Sequence, residues 1–185
     1  KFSPDGTSLI YSTHIGGNES EAPHTMVVGA NNQLIVMGTT SSSDYPTLAS
    51  SFDNTFNGGP AVPAITGYGY GHPTGVDIVI TRFSADGTSL VGSTFVGGSD
   101  NDGIVLVDFL DFNYGDTWRG EVIVDANDNI MVATTTGSFD FPTPNGPQGT
   151  FGGGARDGVV FRMNSTLSTM MWGTYLGGDD DDAAY

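Results

Sequence analysis

The side chains best suited to chemistry in this sequence are carboxylates, and they recur. Three Gly-Gly pairs are each followed by an acidic stretch: Asn18-Glu19-Ser20-Glu21, Ser99-Asp100-Asn101-Asp102 and Asp179-Asp180-Asp181-Asp182. Carboxylate, amide and hydroxyl oxygens gathered in this way are the hard donors that Ca²⁺ takes, about six to eight at a time. Asp100, Asp102, Asp179, Asp180 and Asp181 are therefore expected calcium ligands, and calcium is the one cofactor implied. None of the three stretches follows the spaced D-x-D-x-D-G loop with its distal Glu, and a solvated acidic turn is the alternative reading.

A second set of candidates lies in two segments that interrupt an otherwise regular pattern. Ala61 to Gly75 places Tyr68, Tyr70 and His72 among glycines, a composition that makes an adaptable contact surface for sugar or protein. Ile104 to Trp118 interleaves Asp108, Asp111 and Asp116 with Phe109, Phe112, Tyr114 and Trp118. Tyr68, Tyr70, His72, Asp111, Tyr114 and Trp118 are the expected partner- or glycan-binding residues. The competing reading has the first segment packing its aromatics on the scaffold and the second forming a hairpin over a sheet edge. Of the three histidines, His14 stands where Phe95 and Tyr175 stand in the repeat and is expected in an aromatic packing slot. His24 follows Gly17 at the spacing of Tyr185 after Gly178 and is expected to do likewise. His72, outside the repeat, has no acid–base partner identifiable from sequence. Lys1, Arg82 and Arg162 share one repeat position and are expected to pair with carboxylates.

The elements that hold these residues come from the repeat. FSPDGTSLIYSTHIGG (Phe2 to Gly17), FSADGTSLVGSTFVGG (Phe83 to Gly98) and MNSTLSTMMWGTYLGG (Met163 to Gly178) lie at offsets of 81 and 80 residues. ANNQLIVMGTTSSSDYPT (Ala30 to Thr47) returns as ANDNIMVATTTGSFDFPT (Ala126 to Thr143) at an offset of 96, which places a 15-residue insertion at 104–118. FNGG at Phe56 and FGGG at Phe151 differ by 95, while Asp77 and Asp157 differ by 80, which places the other 15-residue insertion at 61–75. The repeat units are 1–76, 77–156 and 157–185.

Each unit reads as four antiparallel strands. Asp77 to Phe83 is rich in β-branched residues, Ser84-Ala85-Asp86-Gly87 is a tight hairpin, and Ser89 to Val96 is extended again. Asn127-Asp128 separates Glu121–Asp125 from Ile130–Thr136, Asn and Asp being residues that tolerate the left-handed conformation of a tight turn. Gly, Thr, Ser and Asn interrupt every window long enough for a helix. The fold expected is all-β, with β-propeller blades of four antiparallel strands. At 185 residues the chain holds about 2.3 repeat units, too few to close a ring of about 4–8 blades, and is expected to be part of a longer protein. Consecutive turns of such a meander alternate between the two ends, so both insertions are expected at the end opposite the tight hairpins.

The stretch Asp77 to Gly98, together with Val124 to Thr136 and Phe141-Pro142-Thr143, resembles the bacterial β-propeller repeat family SBBP, a likeness that covers essentially the whole chain. The departures are the two insertions and the turn Asn164-Ser165-Thr166-Leu167, which lacks Asp-Gly. The resemblance implies a repeat of large secreted or surface-attached bacterial proteins, an extracellular or cell-surface location, adhesion-type companions and no catalytic residues.

Composition narrows the classes further. Five Lys and Arg against 21 Asp and Glu give a net charge of −16, so no basic surface exists for nucleic acid or an anionic membrane. There is no cysteine, hence no disulfide, thiolate metal site or thiol nucleophile, and no apolar run reaches the roughly 18 residues of a membrane span. No G-x-S-x-G, H-E-x-x-H, P-loop or dinucleotide motif is present. The function expected is a non-enzymatic structural or adhesive module, completed by the rest of its own polypeptide and binding a protein or glycan through the insert-bearing end. The alternatives are a polysaccharide hydrolase or lyase and a component of an export or surface assembly.

Overall fold

A computed structural model describes residues 1–64, 71–106, 110, 113 and 115–185. Among the described residues the protein is all-β, built from two four-stranded antiparallel sheets that do not close on one another. The first runs β1 (Glu21–Val28), β2 (Leu34–Thr40), β3 (Asp77–Phe83) and β4 (Leu90–Val96). The second runs β5 (Glu121–Val124), β6 (Ile130–Thr136), β7 (Asp157–Met163) and β8 (Met170–Leu176). In both, neighbours in sequence are neighbours in the sheet, and single 3₁₀ turns lie at Ala30–Asn32 and Asp116–Trp118.

The sheets are phased half a unit away from the sequence repeat. The unit boundaries at 77 and 157 fall between β2 and β3 and between β6 and β7, so each sheet draws its first two strands from one unit and its last two from the next. What joins the halves is unbroken pairing, from Leu34 against Phe83 to Thr40 against Asp77, and from Ile130 against Met163 to Thr136 against Asp157. The short turns are those the residues demand: Gly87 at φ 70° in the β3–β4 hairpin and Asp128 at φ 63° between β5 and β6.

One core joins the sheets. Ile35, Met37, Ile78 and Ile80 of the first pack with Val122, Ile130, Val132, Val159 and Phe161 of the second, all buried. Full burial of each such side chain contributes about 1.5–3 kcal/mol. The first strands, β1 and β5, also lie against each other. The outer strands β4 and β8 are covered by the preceding long connection. Leu48 N–H donates to Ser93 O and Phe95 N–H to Asp53 O, while Gly173 N–H donates to Pro144 O and Tyr175 N–H to Gln148 O. These bonds occupy backbone groups that an edge strand would otherwise present for adventitious pairing.

At the tight-turn end the sheets are tied by the recurring arginine. Arg82, only 3% exposed, pairs with Asp128 in the β5–β6 turn, donates through Nε to Gln33 at 2.7 Å, and donates to the Ser165 carbonyl at 3.0 Å in the β7–β8 turn. Arg162 pairs with Asp125 within its own sheet. The counterpart of Asp125 in the first sheet is Gly29, which is why Arg82 reaches across to its neighbour. The histidine expectation for position 14 fails: His14 is exposed, whereas Phe95 and Tyr175 are buried. Those two lie on the fourth strand of a complete sheet, but the segment before β1 forms only the bridge Phe2–Leu9.

Candidate functional site

The end opposite the tight turns carries both the Gly-Gly corners and the insertions. At each corner an acidic side chain four residues after the second glycine folds back to accept that glycine's N–H. The three bonds are Gly17 to Glu21 at 3.1 Å, Gly98 to Asp102 at 2.7 Å and Gly178 to Asp182 at 2.6 Å. The first two acids also receive a threonine and a serine from the end of the second strand: Thr40 and Ser42 for Glu21, Thr136 and Ser138 for Asp102. A T-x-S motif thus clamps each of these two corners to the sheet that follows it.

Asp102 is fully buried and faces a second buried acid. A Cβ placed on Gly97 would stand 2.7 Å from Asp102 Oδ2 and 2.8 Å from Asp77 Oδ1, so only glycine lets the two carboxyls close over the corner. Asp77 opens β3 and accepts from the N–H groups of Asn57 at 2.7 Å and Gly58 at 3.0 Å. Burial pushes Asp102 up to about 7 and Asp77 up to about 6, against the lowering effect of their hydrogen bonds. Asp157, the counterpart of Asp77, is raised by burial as well.

These contacts bear on the expected calcium ligands. The Asp100 carboxylate lies 3.7 Å from Arg156 Nη1, Asp102 is turned inward onto Gly98, Thr136 and Ser138, and Asp181 accepts from the backbone N–H groups of Ala155 and Arg156. Asp179 and Asp180 are exposed. Among the described residues no three His, Asp or Glu side chains come together around a point where a cation could sit. The corner clamp occupies Asp102, and backbone amides occupy Asp181.

The insertions meet each other. Val62 and His72 exchange backbone hydrogen bonds of 2.8 Å across the base of the first insertion. The His72 ring then lies 5.1 Å from the Trp118 ring of the second, and Val62, Val76, Ile104, Trp118 and Ala22 form a small core of their own. His24 adds an edge contact to Trp118 at 6.3 Å, and its burial holds the imidazole down at about 3. His72 (0% exposed) and Trp118 (8% exposed) therefore form the interior of this elaboration rather than an exposed contact surface. Tyr68, Tyr70, Asp111 and Tyr114 lie outside the described residues. Around Trp118, Asp116 accepts from Asn113 N–H at 2.8 Å and pairs with Arg119 at 3.1 Å. Arg119 stacks over the Tyr185 ring at 5.1 Å, and the Tyr185 hydroxyl donates to Leu110 O at 2.6 Å.

Sequence reasoning misses two contacts here. Ser41 Oγ lies 2.5 Å from His72 Nδ1 and donates to Gly75 O at 2.8 Å. The counterpart of Ser41 is Gly137, and a Cβ there would run into the Arg156 guanidinium, which packs across it and donates to Asn101 O at 2.9 Å. One repeat thus plugs this point with a serine and an inserted histidine, the other with an arginine over a glycine. The Ser-His contact is sealed from solvent, both residues being buried, and holds the base of the insertion to the end of β2. The only sequence signal for either contact is the Ser/Gly difference at the equivalent positions 41 and 137. No protein-family model matches this chain, and no curated protein does.

Proposed function

We propose that this chain is a run of β-propeller blades of the SBBP type in a secreted or cell-surface bacterial protein, acting as a non-enzymatic structural or adhesive module. Its insert-bearing end is the surface for a protein or glycan partner. The observation that carries this reading is the meeting of the two insertions. Segments added to different repeats share one small core through His72 and Trp118, so they form a single elaboration on a rigid scaffold, the usual seat of recognition. Further support comes from the four-strand meanders, whose first strands lie against each other as inner strands of adjacent blades would. The raised carboxyls Asp77 and Asp102 are enclosed and occupied by amides and hydroxyls, an arrangement that suits a scaffold better than a hydrolase.

The test replaces Ala61–Gly75 with the short connection found at the same point of the second repeat and compares both proteins on a glycan array and against intact bacterial surfaces. The expected result is loss of binding in the replaced protein while both sheets still fold, as read by far-ultraviolet circular dichroism. Retained binding would overturn the assignment of this end.

A further inference from the structure

The first two Gly-Gly corners differ at two repeat positions, and both differences open the second corner. Asn18 and Ser99 are equivalent, as are Ser43 and Phe139, and each pair stands beside equivalent acids, Asp44 and Asp140. In the first corner Asn18 occupies both oxygens of Asp44: its N–H donates to Oδ1 at 2.9 Å and its Nδ2 to Oδ2 at 2.5 Å. In the second, the shorter Ser99 donates its N–H and its hydroxyl to the same atom, Asp140 Oδ1, at 2.8 and 3.0 Å. Asp140 is exposed, and its Oδ2 takes no hydrogen bond from the described residues. Ser43 is exposed with the second sheet in place after it, so this position faces solvent where one sheet follows another. Its counterpart there is Phe139, 73% exposed, held at 4.4 Å between ring centres by Phe151.

The freed carboxyl oxygen borders a cleft between the repeats. Asn57, Gly97, Gly98, Ser99 and Asp140 line about 300 Å³ of polar space. Phe139 and Asp140 are the central residues of the turn Ser138–Phe141, and Ser138 is fixed by its bond to the buried Asp102, so ring and carboxylate project from one held piece of chain. Asn57 comes from the first sheet; its backbone N–H is tied to Asp77, and its exposed side-chain amide takes no hydrogen bond from the described residues.

We propose that this cleft binds a neutral pyranose residue of a glycan, with the ring of Phe139 under its C–H face and its hydroxyls on Asp140 Oδ2 and the Asn57 amide. The inference rests on reading the Gly-Gly end as a partner surface and names the glycan as its ligand. A sugar hydroxyl donates to a carboxylate and also accepts from an amide, whereas an ammonium or guanidinium group offers the amide no acceptor. The apolar C–H face of a pyranose suits the negative face of an aromatic ring. The free Asp140 oxygen and the net charge of −16 act against acidic sugars and phosphate groups. A held turn keeps the ordering cost of binding low.

Amide NMR titration of the full chain with the methyl glycosides of glucose, galactose and mannose reads the site directly. At least one is expected to shift the Ser99, Phe139 and Asp140 amides, with a dissociation constant on the order of 1 mM. Phe139→Ser and Ser99→Asn each install the residue of the first repeat, so both suit the fold, which circular dichroism checks. Each is expected to weaken binding on the order of fivefold or more. The proposal is overturned if no neutral glycoside moves these amides, if either variant binds as well as the wild type, if methyl glucuronide binds as well as methyl glucoside, or if a tetralysine peptide occupies the cleft and the sugars do not. Glycosides bound at the cleft, together with array binding that survives replacement of Ala61–Gly75, would keep this site and remove the insertions from recognition. Array binding lost on that replacement, with the cleft amides unmoved by sugar, would keep the insertions and overturn this site.

Discussion

The two ends of the sheets handle the same excess of negative charge in opposite ways. At the tight-turn end, Asp128 and Asp125 face Arg82 and Arg162, and hydrogen bonds and the guanidinium charges hold their carboxyls below the usual range despite partial burial. At the Gly-Gly end, Asp77 and Asp102 face each other over Gly97 and are satisfied by amides and hydroxyls; burial raises both. The arginines near the Gly-Gly end pair with Asp100 and Asp116, which leaves Asp77 and Asp102 to amide and hydroxyl donors. The protein spends two of its arginines where the sheets must be tied at the turns, and uses hydrogen-bond donors where the chain turns a corner.

The comparison breaks most sharply at Arg82. Arg82→Ala leaves Asp128 and Gln33 without their shared donor and is expected to cost about 3–5 kcal/mol, as for one partner of a buried pair. Arg162→Ala, in a more exposed pair, is expected to cost about 1 kcal/mol or less. Urea unfolding midpoints check both; equal losses would contradict the assignment of Arg82 as the inter-sheet tie. Leu167→Ala comes next, with an expected loss of about 2–4 kcal/mol from the cavity it leaves against Gly92. A change near zero would show that the turn does not anchor the junction. Ser138→Ala sharpens the other end with a smaller effect than Leu167→Ala, about 1–2 kcal/mol, since Asp102 keeps its bonds to Gly98 and Thr136. Thermal unfolding of this variant at fixed pH is the check, and a loss as large as that of Arg82→Ala would contradict the ranking.

Much of the fold is legible in the residues, and the misses share a cause. Asp86-Gly87 and Asn127-Asp128 announce their turns because the conformation is local to a few residues. The sheet boundaries are not legible in the same way: a repeat found by self-similarity can be cut anywhere, and pairing between Thr40 and Asp77 spans an insertion. The turn at Asn164–Leu167 reads as a departure from the repeat, since its reason, Gly92, lies on another sheet. The expected cation–carboxylate pairing of Arg82 and Arg162 is present, but which carboxylate each takes depends on Gly29 standing where the second sheet has Asp125. The acidic stretches look like oxygen ligands in sequence, yet the backbone amides and the T-x-S hydroxyls that occupy them become neighbours only on folding. The insertions are legible by offset alone. That they meet follows from the alternation of turn ends, and that His72 and Trp118 point inward follows from packing, which spacing does not carry.

The difference between the ends has one direct consequence, a stability profile with two limbs of different origin. Carboxyls held low by hydrogen bonds and by arginine contribute stability that is present above the unfolded value near 3.9 and is lost as pH falls through their folded values. Carboxyls raised by burial act with the opposite sign: their contribution is fully present below about 3.9 and is lost as pH rises through about 6 for Asp77 and about 7 for Asp102. The decisive measurement is urea unfolding of the wild type and Asp102→Asn from pH 3 to pH 9 at high salt. The expected result is a wild-type maximum near pH 4 with a loss of a few kcal/mol by pH 8, and a markedly flatter decline in the Asn variant. A wild type equally stable at pH 5 and pH 8, or a variant with an unchanged slope, would contradict the account of the Gly-Gly end.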